Sequence, residues 1–176
     1  MFLKAFKEKS NKKIINSLLN SREVFVDNSK VESLGVLLHA NEFNDFEAFR
    51  KLAEYINVLP NKVKIVAYAS DEKKLTNFWE VCFTEKDFGW KGTINNIELQ
   101  TFINTQFDVL VSYYEDDDLE LKMITAMSKA RFKIGLLQSD QRLNDLIIKT
   151  KISEFDLFKE ELKKYLDTFN KLKHAK

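Results

Sequence analysis

Cysteine, proline and glycine are nearly absent from this chain: one Cys, one Pro and four Gly in 176 residues. With Cys82 alone, no disulfide can close within the chain and no cysteine-rich zinc site can form. A lone cysteine of this kind reads as a small core side chain. Four glycines leave few places where the backbone can wrap a phosphate. Neither G-x-G-x-x-G nor G-x-x-x-x-G-K-[ST] occurs, and G-x-S-x-G and H-E-x-x-H are missing too. The letters DFG at 87–89 stand without the Gly-rich and H-R-D loops of a kinase. No apolar run approaches the roughly 18 residues needed to span a bilayer. The opening MFLKAFKEKSNKK lacks the continuous apolar core of a secretory signal, so a cytoplasmic location is expected. A net charge of +1 supplies no global field toward nucleic acid or membrane.

What is present fits one globular domain with a sizeable core: 44% hydrophobic and 31% charged residues, with Phe unusually frequent at 15 copies. The domain reads as residues 1–176, with a basic amphipathic helix at 1–22, a core at 23–172 and a frayed tail at 173–176. The aromatics stand mostly at core spacings and are not interleaved with a basic strand face, so no nucleic-acid partner is expected. Phe-rich composition also leaves room for an exposed apolar patch and a homodimer.

Residues 107–137 organise the rest. FDVLVSYY, an acidic turn, a helical stretch and FKIGLL make one β-α-β unit. Before it, SLGVLLH (33–39) and VKIVAYA (63–69) are buried strands joined by a helix over 45–57. Asn44 and Glu47 form a capping box for that helix, and Phe46, Phe49, Ala53 and Ile56 make its inner face. Helix 1–22 is read with a break near Ser10 and Asn11. It carries six basic residues against Glu8, which allows contact with an anionic membrane surface as well as packing on its own domain. Residues 24–26 read as a short edge strand and 78–83 as an edge or antiparallel piece. DFGWKG is a turn displaying Trp90. A third helix starts at Asn96, capped by Asn95. Residues 146–150 lie too close to 137 for a helical crossover and read as an antiparallel edge strand. A last helix from 154, capped by Ser153, presents Phe155, Phe158, Leu162, Leu166 and Phe169. The fold class expected is α/β: a three-layer Rossmann-like domain, mainly parallel, with antiparallel edge strands.

In such a sheet, ligands sit beyond the carboxyl ends of the strands. That rim comprises His39, Ser70 and Asp71, Ser112, Tyr113 and Glu115, then Gln138, Ser139 and Asp140, with Trp90 within reach. His39 held by Asp71 or Glu115 is the candidate base; a strand-end His bonded to backbone or water is the plainer alternative. The run Glu115-Asp116-Asp117-Asp118 reads as a helix start stabilised through its cap and dipole, with a Mg²⁺ site as the alternative. No catalytic residue, metal or cofactor is assigned.

The stretches SLGVLLHANEFNDFEAFRKLAEYI, VKIVAYA, CFTEKDFGWKG and QFDVLVSYYEDDDLELKMITAMSKARFKIG together resemble a family of small uncharacterised proteins from bacteria of the Bacteroidetes group. KDFGWKG and AMSKARFKIG are the most specific parts. FDVLVSYY through ITAMSKARFKIG also resembles part of the N-terminal half of heptosyltransferase-type glycosyltransferases, and SLGVLLH is similar to that family's opening S-L-G-D stretch. The resemblance implies the same α/β frame. It also implies a lost activity, because Val36 stands at the acid position and the nucleotide-sugar half is missing. The expectation is a non-catalytic binding or interaction module. The alternatives are a small enzyme or sugar-phosphate binder using the rim, and a peripheral membrane-surface protein attached through residues 1–22.

Overall fold

Three of the strands are buried along their whole length because helices cover both faces of the sheet. A computed structural model describes residues 1–24, 27–71, 81–136 and 140–173. Within them the order is α1 (Phe2–Ser21), β1 (Leu34–His39), α2 (Phe46–Tyr55), β2 (Val63–Tyr68), β3 (Val81–Phe83), α3 (Ile97–Asn104), β4 (Val109–Tyr113), α4 (Leu119–Met127), β5 (Phe132–Gly135), β6 (Leu146–Ile147) and α5 (Phe155–Thr168). The strands form one sheet in the order β3-β2-β1-β4-β5-β6. Side chains alternate between two cores. Val36, Leu38, Ile65, Val111 and Ile134 meet Phe49, Leu52, Phe158 and Leu162 of α2 and α5. Leu37, Val66 and Leu110 meet Ile15, Leu99, Phe102, Leu121 and Ile124 of α1, α3 and α4. This is the three-layer α/β Rossmann-like architecture expected. Each large apolar side chain buried here contributes about 1.5–3 kcal/mol.

All pairings between these strands are parallel, including both edges, β2 with β3 and β5 with β6. The antiparallel edges expected from short connections are therefore corrected. β5 and β6 share only two rungs, Ile134 with Leu146 and Gly135 with Ile147. So short a ladder is reached through a loop and the 3-10 turn Gln141–Leu143 instead of a crossover helix. Residues 25–26 of the edge strand expected at 24–26, and residues 78–80 of the 78–83 piece, lie outside the described residues.

Caps differ in detail. Asp45, not Asn44, accepts the Ala48 N–H at 3.0 Å to start α2. Asn96, not Asn95, accepts the Leu99 N–H at 3.0 Å to start α3. Ser153 does not cap α5, whose N-cap is Glu154 without a side-chain bond. Phe169 lies past the end of α5 and is 42% exposed. α1 runs unbroken through Ser10 and Asn11, because the buried Asn11 amide bonds outward rather than to its own helix. The last described residues are held by backbone contacts: the Lys171 carbonyl accepts the Val31 N–H at 2.8 Å, and the Lys173 carbonyl accepts from Asn57 at 3.2 Å. Among the described residues, no helix is long and apolar enough to cross a membrane.

Candidate functional site

The chain leaves β1 for β2 on one side and places β4 on the other. In folds of this kind the loops diverge at such a switch point and ligands sit in the crevice beyond the carboxyl ends of the strands, here those of β1 and β4. His39 ends β1 there. Alternation along β1 turns its ring to the α4 side, where it is 3% exposed and tilts against Tyr68 at 5.5 Å. Its Nε2 lies 3.3 Å from Asp118 Oδ2. Asp118 stands at the N-cap of α4 but makes no side-chain cap bond, its carboxylate facing His39 instead. Asp116 completes a trio whose ligand atoms lie within 4.8 Å of one another. Tyr68 is the register partner of His39 and faces the charge of Glu120 in the first turn of α4.

Glu42 closes the crevice from the β1 side. A turn brings it there, with the N–H groups of Glu42 and Phe43 both donating to the His39 carbonyl at 3.0 Å. Its carboxylate accepts the Glu115 N–H at 2.9 Å and the Asp116 N–H at 2.8 Å. Two successive N–H groups make a small anion seat, and a side chain of the same protein sits in it.

Electrostatics follow from crowding acids into a half-buried space. Burial pushes the Glu42, Asp118 and Glu120 carboxyls above the usual carboxylate range. His39 offsets part of the rise at Glu42 and Asp118. Burial also raises the Tyr68 phenol, with Glu120 and Asp118 adding to it. Chemically, a His–Asp contact can hold and pass a proton. The trio could also hold a divalent cation. A ligating imidazole, however, donates its second N–H to an acceptor, and His39 Nδ1 has no partner among the described residues. The missing second partner weighs against a metal ligand at His39.

A family model matches residues 7–169. The chain belongs to DUF6913, a family of unknown function. No curated protein and no solved structure matches it. The His39–Glu42–Asp118 crevice lies wholly within the span matched to DUF6913.

Of the rim residues read from the sequence, this DUF6913 chain brings His39 into the crevice and sends several others elsewhere. Tyr113 is buried on the opposite face, edge-on to Phe43, Phe49 and Phe158, its hydroxyl donating to the Ile152 carbonyl at 2.8 Å. Ser112 shares a buried hydroxyl contact with Thr125 at 3.2 Å. Glu115 lends the crevice its N–H, while its carboxylate accepts the Ile152 N–H at 2.7 Å. Asp140 is clamped by Arg142, which holds its carboxyl below the usual range. Trp90 lies against α1, in a groove shared with Phe6. Ser70 and Asp71 are exposed just beyond β2. Gln138 and Ser139 lie outside the described residues. The acidic run is not a simple helix start either: Asp117 pairs with Lys122, and Asp118 serves His39. Glu42, Tyr68, Asp116, Asp118 and Glu120 are missing from the sequence-read rim. Only the acidic run carried a signal for any of them.

Proposed function

We propose that this DUF6913 protein is a non-catalytic binding or interaction module of the cytoplasm, built on a degenerate glycosyltransferase-like frame. One observation carries the reading: the Glu42 carboxylate accepts both N–H groups of the seat after β4. Folds of this kind offer that seat to a ligand's phosphate. Here an internal anion takes it, and Asp116, Asp117 and Asp118 around it oppose a second one. NMR titration with nucleotide sugars and sugar phosphates is the test. The amide signals of Glu115 and Asp116 are expected to stay in place; their saturable movement would overturn the reading.

A small enzyme or sugar-phosphate binder at the rim is the second reading, favoured by the His39–Asp118 contact at 3.3 Å. It needs a counter-charge among these acids, which a divalent cation at His39, Asp116 and Asp118 would supply. It predicts a specific turnover that depends on Mn²⁺ and is lost in His39→Gln. A substrate panel without such activity removes it.

A further inference from the structure

α1 has two apolar faces, and only one is used by the fold. Asn11, Ile15 and Leu19 are buried. Phe2, Phe6, Lys9 and Lys13 recur at i, i+4, i+7 and i+11, which places them together on the opposite side of the helix. Phe2 is 83% exposed, Leu3 74% and Phe6 58%. Single exposed apolar residues are ordinary, but three within one and a half turns are not. The patch continues across the chain. Phe6, Lys9 and Lys13 line one groove with Trp90 and Lys91, and Trp90 is 46% exposed.

The turn that displays Trp90 is held in place for this. Asn11 donates to the Gly89 carbonyl at 3.1 Å and accepts the Gly92 N–H at 3.0 Å, so one buried side chain fixes both ends of the Gly89–Gly92 segment. Lys91 and Gly92 take left-handed backbone angles, φ 54° and 77°. Trp90 and Lys91 therefore keep a set position beside Phe6 and Lys9.

The charges decide what covers the patch. Lys4 at the same end is paired with Glu85 at 3.0 Å. Lys9, Lys13 and Lys91 form no ion pair among the described residues, so the apolar groups are rimmed by uncompensated cations. A second copy docking face to face would set these lysines against their own counterparts. A nucleic acid would find the rings of Phe2, Phe6 and Trp90 beside only Lys9, Lys13 and Lys91, in a chain of net charge +1, which gives a phosphate backbone little to hold it. Large exposed apolar side chains beside free lysines match the headgroup boundary of an anionic bilayer, where rings enter the acyl edge and ammonium groups meet phosphates. We propose that the outer face of α1, together with the Trp90 turn, docks this protein on an anionic lipid surface. This surface goes beyond the binding reading above and does not depend on the crevice. Phe2, Leu3 and Phe6 precede the span matched by the family model, so the proposal concerns this chain rather than DUF6913 at large.

The test is co-sedimentation of the full chain with vesicles of phosphatidylcholine alone or with roughly 30% phosphatidylglycerol, an anionic content that gives a strong surface potential. Binding is expected only to the anionic vesicles and should fall with added salt. A lysine at such a surface contributes roughly fivefold in affinity, so Lys9→Glu with Lys13→Glu should weaken binding by about 25-fold or more. Phe6→Ser with Trp90→Ser should weaken it as well and shift the indole emission response to anionic vesicles. All four side chains point away from the core, and unchanged thermal melting confirms that the variants fold. Absence of binding to anionic vesicles at low salt overturns the proposal, as does binding that neither double variant weakens. Tighter binding to a single-stranded oligonucleotide that displaces the vesicles, or a dimer in solution lost in Phe6→Ser, would assign the face to another occupant and overturn it equally.

Discussion

A lysine in the middle of a buried strand has to be explained through its three N–H donors. Lys133 is 1% exposed, and its Nζ donates to the Thr125 carbonyl at 2.6 Å and the Ala126 carbonyl at 3.3 Å. It ties β5 to the carbonyl end of α4, where a cation is favoured by the helix dipole. Burial nevertheless lowers its pKa to about 7, with Arg22 adding to the fall and Asp145 opposing it. A lysine whose folded pKa is depressed destabilises below that value and gives the loss back as pH climbs toward its ordinary value of about 10.4. Urea midpoints of the wild type should therefore rise between about pH 7 and 10; in Lys133→Met that rise should vanish, and parallel curves would refute the buried placement. Glu42→Ala removes two hydrogen bonds to a partly wet loop. It should cost about 1 kcal/mol in urea unfolding and speed amide exchange at Glu115 and Asp116. The difference between residues legible in the sequence and those not is physical. His39 could be found because it ends an apolar run, so its position follows from strand length alone. Glu42 could not, because its role depends on two loops meeting across a strand pair. Lys133 is polar within an apolar strand, and nothing local says that its donors meet a helix end.

The elements were legible where a period was strong. The inner face of α2 and both long central strands follow from apolar spacing. Caps shifted by one residue at α2 and α3, since adjacent Asn and Asp side chains compete for the same N–H groups. Edge direction was misread because parallel pairing was tied to a helical crossover, and a two-rung ladder needs none. α1 shows how distant parts secure an element that has little inner apolar surface. Besides Asn11, Arg22 just past its end grips Asp145 through two contacts of 2.6 and 2.5 Å, and Asp145 also accepts the Lys133 N–H at 2.8 Å. Gly92→Ala puts a side chain at φ 77° with its Cβ 3.2 Å from Ile14 Cγ2. It should cost about 1–2 kcal/mol and increase proteolysis within α1 before global unfolding. Equal protease resistance in the two proteins would separate the turn from the anchoring of the helix.

At the scale of the molecule, the layered architecture could be read from alternating strand and helix patterns, while the packing of charge could not. Three carboxyls raised by burial, Glu42, Asp118 and Glu120, sit at one end of the sheet. A raised folded pKa means the native state holds its proton more tightly, so stability falls as pH climbs from the ordinary carboxylate value of about 4 through the raised ones. Asp27 and Asp140 are lowered by hydrogen bonds and lose their contribution as pH falls through their depressed values. The melting temperature should therefore fall as pH climbs above the ordinary carboxylate value, before Lys133 reverses the trend. A profile that stays flat from about pH 4 up to the Lys133 rise would contradict the crowding at the crevice. The order of the sheet also bears on synthesis. β1 pairs with β4 through rungs such as Val36 with Val111, so its second neighbour emerges from a ribosome only after much of the chain has been made. Until then one backbone edge of β1 is open and the apolar Leu34–Leu38 run lacks its full cover. Non-local pairing of this kind delays closure. Nascent chains shorter than β4 should accordingly be the species on which a chaperone acts.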